Sequence, residues 1–120
     1  MKNPVVWWEI NARDGEKLSA FYREVLEWEM PLDEKSGIWE VERDDAPGNI
    51  GGGIFTGQGR LPTHRCLLVQ VEDIDRVCSR VKRAGQEILQ GPYALEGVGR
   101  LAFFRDPEGH MLGLIERPTD

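Results

Sequence analysis

The sequence predicts an α+β protein made of two consecutive β-α-β-β-β modules, and three observations carry that prediction. The order of strand-like and helix-like stretches in the first half recurs in the second. Each half opens with an alternating strand that leads through an aspartate into an amphipathic helix. The halves also end alike: GGGIFT (51–56) lies over MLGLIE (111–116), which sets Gly53 on Gly113. Internal duplication of this kind restricts a fold more than any single motif does.

In the first module, PVVWWEINA (4–12) alternates between two sets, Val6, Trp8 and Ile10 on one side and Val5, Trp7, Glu9 and Asn11 on the other. Such alternation marks a strand with two different environments. Asp14 offers a helix N-cap, and Leu18, Phe21, Tyr22, Val25 and Leu26 recur at helical spacing. Strands are expected near 28–32, 37–43 and 50–56, separated by DEKSG and DDAPGN, both rich in turn residues.

The second module begins with HRCLLVQV (64–71). Leu67, Val69 and Val71 share one side of that strand; His64, Cys66, Leu68 and Gln70 share the other. Asp73 caps a helix whose Ile74, Val77, Cys78 and Val81 form the apolar stripe, and Gly85 is its expected stop. Further strands are expected near 86–90, 99–105 and 110–116, with GPYALEGVGR (91–100) as a loop. Each module has one helix to cover one sheet face, so the other face needs a pocket or a second sheet.

The chain has 120 residues, 40% hydrophobic and 30% charged, which suits a single globular domain over 1–120 with modules at about 1–60 and 61–120. A net charge of −6 argues against a general nucleic-acid binder, which needs a basic surface. No apolar run approaches the roughly 20 residues that span a bilayer, and the start MKNPVVWWEI lacks a signal-like segment, so a cytoplasmic protein with no membrane partner is expected. Cys66 and Cys78 are too few for a disulfide scaffold and fit no zinc-finger spacing. They read as small buried hydrophobes. GGGIFTGQGR opens no helix after a strand, so it is no dinucleotide fingerprint.

The first strand followed by Asp14, Phe21 and Tyr22, VLEWE after the helix, VQVEDID opening the second module and RDPEGHMLGLIE closing it together resemble the vicinal oxygen chelate superfamily. Glyoxalase I, extradiol dioxygenases and the bleomycin- and fosfomycin-resistance proteins belong to it. The resemblance spans nearly the whole chain. It implies a U-shaped, eight-stranded mixed sheet around a concave cavity, a homodimer, and in the metal enzymes a divalent ion held from the first and last strands of each module.

Carried over by position, those ligands fall on Trp7, Gly53, Cys66 and Gly113. Trp and Gly have no coordinating side chain, and a lone thiolate makes no divalent site. No cofactor is therefore expected, with a divalent ion at a displaced site, through Glu9 and His64, as the alternative. The simpler reading of those two is a hydrogen-bonded half-buried Glu9 and a His64 near solvent at a strand end. His110 and Glu116 fall off the inward side, and DPEG reads as a structural turn.

The pocket is expected to be lined by Trp7, Glu9, Gly53, Phe55, Cys66, Tyr93, Arg100, Phe104 (or its neighbour Phe103) and Gly113. Trp7 supplies a flat apolar plate with one N–H. The two glycines leave space, and Tyr93 and Arg100 reach in from the loop, Arg100 toward a carboxylate or phosphate. The reading that results is a metal-free small-molecule binding protein. Two alternatives stand beside it: a lyase, isomerase or dioxygenase using a relocated metal or Glu9 as general base, and a regulatory subunit.

Overall fold

A computed structural model describes residues 2–118 of the chain. Its elements are β1 (Val5–Ala12), α1 (Gly15–Leu26), β2 (Leu32–Asp33), β3 (Ile38–Val41), β4 (Gly52–Thr56), β5 (His64–Gln70), α2 (Ile74–Arg83), β6 (Ile88–Leu95), β7 (Gly99–Arg105) and β8 (Met111–Glu116). The β-α-β-β-β order occurs twice, as the duplication requires. All eight strands join one sheet in the order β2-β3-β4-β1-β5-β8-β7-β6. It is mixed: β1 with β4 and β5 with β8 are parallel, and the β2–β3, β3–β4, β6–β7 and β7–β8 pairs are antiparallel. The chain divides into two compact units, Trp7–Arg65 and the remainder on either side of it, with both β1 and β5 running from one unit into the other.

In the unit Trp7–Arg65, the core is Ala12, Met30 and Ile54, with Trp8, Ile10, Leu18, Tyr22, Trp39 and Val41 packed against it. Trp8 and Ile10 therefore face α1, and the strand pleat turns Trp7, Glu9 and Asn11 to the other side. Asp14 caps α1 through Lys17 N at 3.1 Å, as its position suggests. Gly15 N donates to Thr56 Oγ1 at 2.9 Å, tying the start of the helix to the end of β4.

Two expectations fail in this unit. The strand placed at 28–32 is only Leu32–Asp33, because Trp28 is used differently: its ring stacks on Tyr22 at 6.1 Å and tilts against Trp8 at 5.6 Å. The α1 stripe is also narrower than its spacing suggests. Leu18 and Tyr22 reach the core, whereas Phe21, Val25 and Leu26 are exposed.

In the other unit, Val71, Ile74, Cys78, Ala102 and Leu114 form the core, with Val69, Val77, Ile88 and Phe104 against it. Asp73 caps α2 through Arg76 N, and Gly85 follows the helix in the left-handed region at φ +87°, which glycine adopts without cost. Burial raises the pKa of the Cys78 thiol, with Asp75 adding to the effect, so this cysteine is an inert core residue. Ile74 N donates to Glu116 Oε2 at 2.8 Å, repeating in α2 and β8 the tie between Gly15 and Thr56. DPEG is the expected structural turn: Asp106 Oδ1 accepts from Glu108 N and His110 N, each at 2.9 Å.

The loop expected at 91–100 is mostly strand. β6 runs to Leu95 and β7 begins at Gly99, and Val98 N closes the tight turn on Leu95 O at 3.0 Å. Gly91 and Pro92, which read as loop punctuation, lie inside β6, at a register irregularity between Gln90 and Tyr93.

Candidate functional site

The side of the sheet turned away from α1 can be followed row by row in the unit Trp7–Arg65. Glu9 is opposite Gly53 on β4, and Gly53 is opposite Glu40 on β3. Asn11 is opposite Phe55, and Phe55 opposite Ile38. Directly opposed residues share a face, so Trp7, Glu9, Asn11, Ile38, Glu40, Gly53 and Phe55 form one surface. It joins an aromatic plate, two carboxylates and one carboxamide.

Gly53 leaves less space than expected. A Cβ built on it would lie 2.5 Å from Ile38 Cγ2 and 3.3 Å from Trp7 Cζ2, so neighbouring side chains already fill that volume. The indole of Trp7 also crosses Gly51, whose Cβ would stand 3.2 Å from Trp7 Cζ3. Glycine at these two positions is what allows the ring to lie on the strand.

Glu9 and His64 form the main polar contact. Glu9 Oε2 lies 3.0 Å from His64 Nε2, with side-chain exposures of only 12% and 7%. The other ring nitrogen, Nδ1, lies 2.8 Å from Pro62 O. A carbonyl oxygen only accepts, so Nδ1 carries a proton and Nε2 is the atom presented to the carboxylate. His64 is half-buried at the start of β5, with its side chain turned to Glu9; Glu9 is hydrogen-bonded, as its simpler reading has it. Cys66 follows two residues along β5 and is buried.

Two residues here were not singled out from the sequence. Asn11 is 5% exposed, and its Oδ1 has no hydrogen-bond donor among the described residues. Its place two residues beyond Glu9 on an alternating strand was a usable signal. Glu40 gave none, since only the register of β3 on β4 brings it beside Gly53. Desolvation raises the Glu40 pKa, and Glu42 and Asp33 push it in the same direction.

In the other unit, Leu68, Gly113 and Phe103 are opposed across three strands, and Tyr93 is opposed to Leu101. A Cβ on Gly113 would stand 2.9 Å from both Leu68 Cγ and Phe103 Cε1, so this glycine too is covered by its neighbours. Two expected pocket residues sit on the opposite face. Phe104 packs into the cluster beneath α2, and Phe103 takes the inward place. Arg100 forms a two-pronged ion pair with Asp75 of α2, at 2.7 and 3.0 Å. The physical reason is the pleat: Arg100, Ala102 and Phe104 have one parity on β7, and Ala102 is in the α2 core. Tyr93 keeps its inward side but stands on β6, not on a loop.

Three of the four positions carried over from the superfamily's metal enzymes are thus closed. Trp7, Gly53 and Gly113 have no coordinating side chain, and Trp7, Ile38, Leu68 and Phe103 occupy the space over the glycines. These three positions offer a family metal no ligand.

A duplicated β-α-β-β-β chain in one mixed eight-stranded sheet is the architecture of the glyoxalase-fold class. Residues 5–114 match the model of the Glyoxalase/Bleomycin resistance protein/Dioxygenase superfamily, and the chain belongs to that superfamily. It is 23% identical over 118 residues to the anthracycline biosynthesis protein DnrV of Streptomyces peucetius, covering 86% of this chain and 43% of that one. The chain thus spans less than half the length of that relative. It is 27% identical over 115 residues to the metallothiol transferase FosB of Shouchella clausii, covering 93% and 79%. A methylmalonyl-CoA epimerase from Streptomyces coelicolor, in complex with 2-nitronate-propionyl-CoA, shares the fold at a TM-score of 0.66 with 15% identity, over 99% of this chain and all (100%) of that one.

Proposed function

We propose that the chain binds a small planar molecule bearing a hydrogen-bond donor or a cationic group on the surface formed by Trp7, Glu9, Asn11 and Phe55, and that this binding needs no metal. The buried Asn11 Oδ1 carries the reading. An unpaired buried acceptor costs about 1–3 kcal/mol, and a ligand N–H or O–H removes that cost. The Trp7 indole offers the flat apolar contact, and Glu9 and Glu40 favour a donor or a cation over an anion. The relatives support a small-molecule role: one is named for anthracycline biosynthesis, one is named a metallothiol transferase, and one is an epimerase in complex with a CoA compound. Cytoplasmic location and assembly as a homodimer belong to the same proposal, the exposed Phe21 and Val25 supporting a covered α1 surface.

The test is a thermal-shift screen of planar aromatic amines, phenols and carboxylates, run in EDTA. A rise in melting temperature with amines or phenols is expected, lost in Trp7→Ala and reduced in Asn11→Leu. Stabilisation by carboxylates alone, or only after metal is added, overturns the reading. An enzyme using a relocated metal would give the second of these results.

A further inference from the structure

We propose that the outward face of α2 formed by Arg76, Arg80 and Arg83 docks an acidic helical segment of another protein. The face lies within a single unit of the chain and stands independently of the ligand reading above.

Arg76, Arg80 and Arg83 stand at i, i+4 and i+7 in Ile74–Arg83, so they share one side of the helix, with Ser79 among them. All four residues are exposed. Ile74, Val77 and Cys78 turn the opposite side of α2 to the core. The arginine row spans roughly 10 Å along the helix axis.

Nothing in the fold neutralises this row. Among the described residues, none of the three guanidinium groups has an ion pair or a hydrogen bond. Three carboxylates at the start of α2 are engaged elsewhere. Asp73 Oδ1 accepts from Arg76 N, Glu116 Oε2 accepts from Ile74 N, and Asp75 holds Arg100. Helix stability does not account for the row either. Like charges at i, i+4 destabilise a helix. Arg76 also stands in the first turn, at the positive end of the helix dipole, where a cation is disfavoured.

The chemistry of the row selects its partner. The planar fork of arginine matches a carboxylate, and Arg100 already grips Asp75 in that two-pronged way at 2.7 and 3.0 Å. Three guanidinium groups spread along a helix meet three carboxylates at the same spacing better than one compact anion. Polyanions fit worse: the net charge of −6 repels them, and duplex DNA carries one charge in about every 1.7 Å, more than three cations over that length neutralise. A membrane-binding helix needs apolar side chains beside its basic ones, and α2 exposes no large hydrophobic residue.

The probe is a fluorescein-labelled helical peptide of about 15 residues, uncharged except for glutamates at i, i+4 and i+7. It is titrated with the purified full chain and followed by fluorescence anisotropy. Binding is expected at low salt and should weaken as the Debye length shrinks from ~30 Å at 0.01 M to ~8 Å at 0.15 M. The same peptide with glutamines should not bind. Arg76→Gln, Arg80→Gln and Arg83→Gln should each weaken binding roughly two- to five-fold, and the triple variant more than about tenfold. Ser79→Glu sets a carboxylate beside Arg76 and Arg83 and should match the triple variant. Lys82→Gln removes the same charge from another side of α2 and should change affinity by less than about twofold. Circular dichroism and melting establish that each variant is folded.

No binding at low salt overturns the proposal. So do equal losses in Lys82→Gln and Arg76→Gln, which would make the effect one of net charge. Tighter binding to a DNA duplex or to phosphatidylserine vesicles, lost in the triple variant, overturns it in favour of those surfaces. Salt-sensitive self-association lost in that variant overturns it in favour of a second copy of the chain. Trp7→Ala should abolish binding of the planar molecule and leave the peptide affinity unchanged, so the two readings fail separately.

Discussion

Gly53 and Gly113 occupy equivalent places in the two repeats, each on the last strand of its module and each covered by an aromatic ring and an aliphatic chain. What surrounds them differs. Beside Gly53 stand Glu9, Glu40 and Asn11, two carboxylates and a carboxamide with an unpaired buried oxygen. Beside Gly113 stand Leu68, Phe103 and Ile115, all buried and apolar, with the half-buried Gln70 opposite Ile115 in the place that Asn11 takes in the first half. Both halves kept the backbone arrangement, from the aspartate cap to the bond between the helix start and the final strand. They diverged in the side chains of one sheet face. The second half is organised for cohesion, and the first retains groups that cost stability, as surfaces built for recognition do.

That contrast can be broken most directly at Phe103. Phe103→Ala removes a buried ring of the apolar half and should cost about 3–5 kcal/mol of stability by urea denaturation. Binding on the Trp7 surface should survive wherever the protein is folded. Unaltered stability would show that the apolar half does not supply the cohesion assigned to it.

A smaller effect is expected at the polar half. His64→Ala leaves Glu9 without its partner at low exposure and should cost about 1–3 kcal/mol. Adding Glu9→Leu should recover much of that loss, because the stranded carboxylate is gone. A double-mutant cycle with no coupling would mean that the 3.0 Å contact contributes nothing.

The two helix ties test what the halves share. Thr56→Ala removes a hydroxyl acceptor from Gly15 N, and Glu116→Ala removes a carboxylate from Ile74 N. Each should cost about 1 kcal/mol, Glu116 the more, because a negative charge also suits the positive end of α2. Equal losses would show that the charge adds nothing.

The smallest effects are in pH dependence, and they have opposite signs. Asp75 has its pKa lowered by the hydrogen bonds from Arg100, partly opposed by desolvation, with the charge of Arg100 adding a smaller lowering. Its contribution is present above the ordinary value of 3.8 and fades as pH falls through the lowered one. Glu40, raised above its ordinary 4.5, works the other way: the folded state holds its proton more tightly, so stability declines as pH rises through that range. Asp75→Asn should slightly flatten the acid limb of the stability curve, whereas Glu40→Gln should slightly stabilise the protein at neutral pH. Urea midpoints between pH 3 and 7 measure both. Glu40→Gln that destabilises would remove Glu40 from the set of groups held at a cost.

Most of the fold was legible in the sequence because its signals are local and repeated. Alternation in 5–12 and 64–71 sorted side chains between faces, and Asp14 and Asp73 marked both helix starts. The failures came where a distant contact decided. Trp28 reads as strand-forming until Trp8 and Tyr22 take its ring, and GPYAL reads as a loop until β7 pairs with it. The site was legible in kind and not in detail. Trp7, Glu9 and Cys66 follow from parity on their strands, whereas Phe104 carries a one-residue ambiguity with Phe103 and Arg100 reads as a loop residue, and only the α2 core and Asp75 place both. The burial of His64 depends on Pro62 and Glu9 together, and no spacing rule shows that.

The bonds from Gly15 to Thr56 and from Ile74 to Glu116 join residues 41 and 42 positions apart. During synthesis, each helix is therefore made long before its anchor. A ribosome that has released α1 must still deliver all of β2, β3 and β4 before that helix can be seated. Each repeat is completed by its last strand, and a chain stopped short of Glu116 would carry a finished first half and an unlatched second helix.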